Sequence, residues 1–271
     1  MLISRPFLFV QCRPAGNIER DEKQTIAHAG GLTIGKDLRA HVLLEEPDFD
    51  PVRDLDLKDD YSGVIISGSP FKAEPLKAKP FKAEPLKAEP FKAEATATPN
   101  TPERRHLHAR LTALAQYLLD NDVPTLGLCY GLQMLALASG TSLTDQTSED
   151  LQAVDITITP EGHRDPVTSH LGNTIRAYTG HEDSLASLPA GATLLGCGEH
   201  CRYQLVRFGT NIYGTQFHPE ITTPGMRIRI DQYGGTYYDA TMRDAVTARC
   251  MSQDVTSSHR LISAFTDYFR R

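Results

Sequence analysis

Tryptophan is absent from the 271 residues and cysteine is sparse, with five thiols at positions 12, 129, 197, 201 and 250. An odd, scattered set does not make a disulfide framework and fits reduced thiols in the cytoplasm. No apolar run approaches the roughly 18 residues of a membrane span. The opening MLISRPFLFVQC lacks a basic region before its apolar patch and lacks a small-residue cleavage site, so no leader is expected. Positive charge is short as well. Lys and Arg number 28 against 34 Asp and Glu, a formal charge of −6, which argues against a nucleic-acid partner and for a small-molecule substrate.

What is present suits an α/β fold. The chain is 40% hydrophobic, enough for a full core, and residues 1–271 are expected to form one domain. The runs FLFV (7–10), GVIISG (63–68), PTLGLC (124–129) and NIYGTQF (211–217) predict strands buried on both faces, hence a mostly parallel sheet covered by helices. TPERRHLHARLTALAQYLLDND predicts a helix capped by Thr101, with Pro102 in its first turn and Leu107, Leu111, Leu114 and Leu118 on one face. A closing helix carries a stripe of Leu261, Ile262, Phe265, Tyr268 and Phe269, with Ser257 or Ser258 as its cap, and is expected to pack across the sheet.

One segment does not belong to a core. Residues 70–94 repeat P-[FL]-K-A-[EK] five times, and a proline at every fifth position forbids a continuous helix or a central strand. An insertion over 70–95 is expected to be an extended surface loop, either a tolerated expansion or a docking tether presenting its Phe and Leu residues.

The chemistry centres on TLGLCYGLQ (125–133). G-x-C-x-G has the form of a nucleophile elbow: a strand ends, the chain turns at the nucleophile, and Gly127 and Gly131 relieve close contacts as a helix begins. Peptide dipoles at a helix N-terminus favour a thiolate at Cys129. A structural cysteine in a strand-to-helix turn is the competing explanation. A base stands downstream in YGTQFHPE, where His218 and Glu220 face the same way in an extended chain and Pro219 restricts the backbone between them. Glu220 can then orient one ring nitrogen of His218 while the other faces the thiol.

These motifs resemble the class I, triad-type glutamine amidotransferases, with G-x-C-x-G-x-Q completed by Gln133 and H-P-E lying 89 positions after Cys129. GLCYG is most similar to the glutaminase portion of GMP synthetases, and GSPF and GHED to free-standing members of that group. The resemblance implies a three-layer, flavodoxin-like sandwich. It also implies catalytic roles for Cys129, His218 and Glu220, an oxyanion hole from the backbone N–H groups of Ser69 and Tyr130, and substrate contacts at Gly68, Gln133, Gly180 and His181. The family pattern has glycine where Ser69 stands. TGHED (179–183) corresponds to a loop that grips the amino-acid head group of glutamine.

The activity so implied is release of ammonia from glutamine through a Cys129 thioester, with no cofactor and no metal. Only 51 residues follow Glu220, and no G-x-x-x-x-G-K-[ST] or S-G-G-x-D-S-type loop lies among them, so a separate synthetase or transferase is expected to receive the ammonia. A γ-glutamyl hydrolase or peptidase would use the same triad, and a regulatory binding protein would keep only the fold. Cys197, His200 and Cys201 in CGEHC lack the second ligand pair of a structural zinc site. Cys12 and Cys250 have no partner pattern, nor do His106, His108, His163 and His170.

Overall fold

A computed structural model describes residues 5–73, 101–233 and 240–271. Nearly all of the proline-rich repeat, from residue 74 onward, lies outside the described residues. The strands are β1 (Phe7–Gln11), β2 (Leu38–Val42), β3 (Gly63–Ile66), β4 (Thr125–Leu128), β5 (Leu143–Thr144), β6 (Glu149–Ile158), β7 (Thr174–His181), β8 (Ser184–Leu185), β9 (Thr193–Cys197), β10 (Leu205–Phe208) and β11 (Ile212–Thr215). The helices are α1 (Asn17–Ala29), α2 (Pro51–Asp54), α3 (Pro102–Asn121), α4 (Tyr130–Ala138), α5 (Thr223–Tyr233), α6 (Arg243–Met251) and α7 (Thr256–Phe269).

A nine-stranded sheet runs in the order β2-β1-β3-β4-β11-β10-β9-β6-β7. From β2 to β11 every neighbouring pair is parallel, and β1, β3, β4 and β11 are the apolar runs expected as strands, whereas the edge strand β2, LRAHV, is partly exposed and was not expected. From β11 to β7 the pairs are antiparallel. The parallel character therefore belongs to one half of the sheet, and the other half is a wing. This wing escapes a search for apolar runs because β6, EDLQAVDITI, is charged and only partly buried along much of its length.

Helices cover both faces, giving the three-layer α/β sandwich. On one side Leu107, Leu111, Leu114 and Leu118 of α3 join α4 and residues such as Val64 and Ile66 in a single core. On the other, Phe265 and Phe269 of α7 pack with Phe7, Leu126 and Tyr213. The rings of Tyr213 and Phe265 meet edge to face at 6.2 Å, a favoured aromatic arrangement.

Thr101 caps α3 as expected, accepting from Arg104 N at 3.3 Å, and Asp122 ends the helix in a left-handed conformation with φ 46°. The start of α7 departs from the expectation. Neither serine caps it: Asp254 accepts from Thr256 N, while Ser257 Oγ is drawn to the neighbouring strand and accepts from Arg176 N at 3.0 Å. Tyr268 also leaves the buried stripe and is 54% exposed, its ring standing edge-on against Phe269 at the end of the helix. Among the described residues, no helix is long and apolar enough to cross a membrane.

Candidate active site

β4 delivers Cys129 to the C-terminal edge of the parallel half of the sheet, where ligands of open α/β sheets characteristically bind. Cys129 has φ 48° and ψ −93°, a strained conformation for a side chain with a Cβ, and it immediately precedes α4. Its N–H donates to Thr215 O at 2.6 Å, which ties the turn to β11. The flanking glycines let α4 pass close by. A Cβ on Gly131 would lie 2.8 Å from Ile66 O, and one on Gly127 would lie 2.8 Å from the carbonyl carbon of Gly131. The elbow read from the sequence is therefore the observed geometry.

β11 carries the second half of the constellation. Beyond Thr215 the chain bends at Gln216 and Phe217, His218 N donates to Tyr178 O in an antiparallel bridge to β7, and Pro219 and Glu220 then form a turn in place of the extended stretch expected from the sequence. The wing thus supports the segment that bears the base. His218 Nδ1 lies 2.7 Å from Glu220 Oε1, and Cys129 is close enough to act on the charge of the ring. Gln216 Nε2 donates to Cys129 Sγ at 3.5 Å. Burial alone would lower the pKa of His218. The Glu220 carboxylate and Cys129 outweigh that effect and push it up to about 10, so the ring is an imidazolium at neutral pH. Glu220 is fully buried, which disfavours its charge, but His218 and then Arg229 bring its pKa below the usual carboxylate value. Burial pushes the thiols of Cys12 and Cys201 up to about 12, leaving them protonated.

A cleft of about 410 Å³, counting the solvent at its mouth, opens beside Cys129. Ser69, Tyr130, Gln133, Gly180 and His181 all line it. Among the described residues only Asp122 and Cys129 combine a side chain with positive φ, so serine at position 69 is compatible with its turn. Ser69 Oγ donates to Cys12 O at 2.7 Å and accepts from Phe71 N, which fixes that turn. Gln133 Nε2 donates to Asp183 O at 2.6 Å. Gly68 sits against the base, where a Cβ would fall 2.8 Å from His218 Cε1.

TGHED is a loop only in its last two residues. Thr179, Gly180 and His181 complete β7, because pairing with β6 continues as far as His181 opposite Glu149. Glu149 Oε2 accepts from Thr179 Oγ1 at 2.9 Å and Gln204 Nε2 at 2.9 Å, and lies 3.0 Å from His181 Nε2. The ring of His181 is thereby held toward β6.

Sequence reasoning missed a charged layer behind the base. Arg13, buried just after β1, binds Glu22 through Nε and Nη2, each at 3.1 Å, and donates from Nη1 to Tyr233 OH at 3.0 Å. Arg229 reaches Asp21 at 2.8 Å. The only available signal was an arginine placed directly after an apolar strand run. In CGEHC, Gly198 N donates to Cys201 O to form a turn, and among the described residues no group of three or more His, Cys, Asp or Glu is placed to hold a metal ion.

The sequence profile of the family Glutamine amidotransferase class-I matches residues 82–230, more than half of the chain. One of the subunits of a glutamine-hydrolyzing GMP synthase, that of Sulfurisphaera tokodaii, is 34% identical over 106 residues, covering 39% of this chain and 55% of the relative. A putative glutamine amidotransferase-like protein of Salmonella typhimurium, YfeJ, is 32% identical over 111 residues, covering 40% of this chain and 46% of the relative. The chain thus spans about half the length of these curated relatives. A solved glutamine amidotransferase from Thermotoga maritima has the same fold, with TM-score 0.69, 16% identity and coverage of 97% of each chain. Together with the elbow geometry and sheet order, the profile match places the chain in the class-I glutamine amidotransferase family.

Proposed function

We propose that the protein hydrolyses the side-chain amide of glutamine through a thioester on Cys129 and passes the ammonia to a separate synthetase or transferase. The observation that carries this reading is the grouping of a strained cysteine at a helix N-terminus, an imidazole whose charge that cysteine favours, and a buried carboxylate 2.7 Å from Nδ1 of the same ring.

Cys129 Sγ attacks the carboxamide carbon. The resulting oxyanion is received by the N–H of Tyr130, the first residue of α4, where helix geometry leaves a backbone donor without an intrahelical partner, and by the N–H of Ser69. His218 gives its proton to the departing nitrogen, so ammonia leaves and the acyl group stays on sulfur. The neutral ring next takes a proton from water as the water oxygen attacks the thioester carbon. The C–S bond breaks, glutamate departs, and the sulfur and imidazolium are restored. Glu220 remains ionised throughout and stabilises the charged ring. Gln133, Gly180 and His181 contact the remainder of the substrate, and Gly68 leaves room for the base.

That the Sulfurisphaera tokodaii relative is one of the subunits of a GMP synthase supports a separate acceptor enzyme. The chemistry calls for no cofactor, and we place it in the cytoplasm. Glutamate release is to be measured from glutamine and from larger γ-glutamyl amides, with Cys129→Ala as control. Release from glutamine, lost in the variant, is the expected result. A preference for the larger amides would replace this reading with a γ-glutamyl hydrolase, and purification from lysate that recovers only a second copy of the chain would count against a partner enzyme.

A further inference from the structure

The sulfur of Cys129 has a second polar neighbour, to which the hydrolytic steps give no part. β11 runs parallel to β4 with Thr215 opposite Leu128, so the residues that follow the two strand ends, Gln216 and Cys129, come side by side at the edge of the sheet. The backbone there is held on both flanks. Thr215 O accepts from Cys129 N at 2.6 Å, and on the side of β10 Gln216 N donates to Gln204 O at 2.9 Å. Phe217, the next residue, is fully buried in the core that contains Leu128 and Tyr213. Between these fixed points the side chain of Gln216 turns to the nucleophile, and its Nε2 donates to Cys129 Sγ at 3.5 Å.

Packing explains this contact poorly. Gln216 has no exposed surface, and its Oε1 is buried with no hydrogen-bond partner among the described residues. An interior amide with its acceptor unused is unfavourable, and a methionine would fill a similar volume without that cost. A thiol is moreover a weak acceptor. The bond becomes strong when the sulfur is negative, since hydrogen bonds to ionised groups are roughly twice as strong as those between neutral ones. An amide N–H also stabilises charge without giving up its proton, whereas the ring of His218 gains and loses one in each turnover.

We propose that Gln216 is a catalytic residue that stabilises Cys129 Sγ as the departing anion when the thioester is hydrolysed. The oxygen of water bonds to the acyl carbon as one of its protons passes to His218. The C–S bond then breaks, its electron pair stays on sulfur, and the N–H of Gln216 strengthens its bond to the charge that gathers there. The acid product ionises into solvent, and the proton taken from water stays on His218. Attack on the substrate runs the other way, since sulfur gives up charge as it bonds to carbon, so the same contact offers that half of the reaction no help. The inference rests on the thioester reading and deepens it by assigning the group that releases the acyl chain.

The test acylates the full chain with p-nitrophenyl acetate, so it does not depend on glutamine being a substrate. Excess reagent is removed, and loss of the acetyl group from the peptide carrying Cys129 is followed by mass spectrometry, with Cys129→Ala as the blank. Gln216→Met has similar size and no donor, and Gln216→Asn keeps the amide but draws it back by one methylene. Both are expected to hold the acetyl group roughly ten- to a hundredfold longer than wild type, the range for a hydrogen bond to a charged group. Both should keep the full nitrophenolate burst, which reports an intact nucleophile. A Gln216→Met protein that sheds its acetyl group at the wild-type rate assigns the residue to packing and overturns the proposal. Loss of the burst in both variants, marking a structural role, or a wild-type Cys129 that does not acylate would overturn it too. Glutamate release from glutamine is scored separately. Normal deacylation in wild type without glutamate release sinks glutamine hydrolysis alone, whereas glutamate release with an acetyl lifetime unmoved by Gln216→Met sinks the role of Gln216 alone.

Discussion

His218 Nδ1 and Glu220 Oε1 lie 2.7 Å apart across a turn formed by Pro219 and Glu220, where the fixed φ of the proline helps hold the carboxylate against the ring. The carboxylate is fully buried, so the charge it places on the ring is poorly screened by water. Glu220→Gln keeps the shape and removes the charge. Turnover of glutamine is expected to fall roughly a hundred- to ten-thousandfold with little change in KM, as befits a group that stabilises the imidazolium without touching substrate. Steady-state kinetics against wild type and Cys129→Ala check this, and a variant within twofold of wild type would remove Glu220 from the proposed triad.

The same pair sets a pH window. The folded pKa of His218, about 10, stands above its ordinary 6.5. The stability gained from the charged ring is therefore complete below pH 6.5, where the unfolded histidine is protonated as well, and is lost as pH rises through about 10. Ring NMR signals of His218 should show no titration between pH 6 and 8 in wild type. Cys129→Ala removes one of the groups that hold the proton, so the midpoint should move down. A wild-type midpoint near 6.5 would show that the pair is not ionised at neutral pH.

Gly68 tests how tightly the base is positioned. A Cβ there would stand 2.8 Å from His218 Cε1 and 3.1 Å from Arg13 Nη2. Neither neighbour moves freely, since the ring is bonded to Glu220 and the guanidinium to Glu22. Gly68→Ala is expected to reduce kcat roughly a hundredfold through displacement of the ring, with a small shift in melting temperature. An unchanged kcat, measured alongside thermal unfolding, would mean that the site accommodates the methyl group.

The parts of the site that were legible in the sequence are those held by neighbours in the chain. The elbow needs Gly127, Cys129 and Gly131 at fixed spacing, and the base needs His218 two residues before Glu220, so local geometry dictates both patterns. The parallel strands β1, β3, β4 and β11 were legible because burial on both faces leaves apolar runs, and the edge strand β2, which carries Arg39 and His41, was not. The antiparallel wing left no such trace: Glu149, at the start of β6, is buried against Thr179, His181 and Gln204, which only the pairing of distant strands brings to it. The misreading of TGHED as a loop has the same origin, since Gly180 suggests a turn until β6 is found beside it. Tyr268 marks the opposite limit, being an aromatic on the expected stripe that the end of α7 leaves in solvent.

Arg13 and Glu22 could not have been paired from the sequence, yet the side chains are only 6% and 0% exposed and interact through two hydrogen bonds. At such burial, removing one partner leaves the other charge without compensation, and that penalty exceeds the net worth of the pair. Arg13→Met is therefore expected to lower unfolding stability by about 3–5 kcal/mol. Pairing it with Glu22→Leu should recover most of the loss, because the interior then holds neither charge. The effect on activity should separate from the effect on stability: Arg13 and Glu220 share the field around the base, so the double variant is expected to fold while the His218 midpoint still differs from wild type. Urea denaturation of the two single variants and the double, read as a mutant cycle, gives the coupling energy. Additive losses would show that Arg13 and Glu22 act independently, against the geometry that joins them.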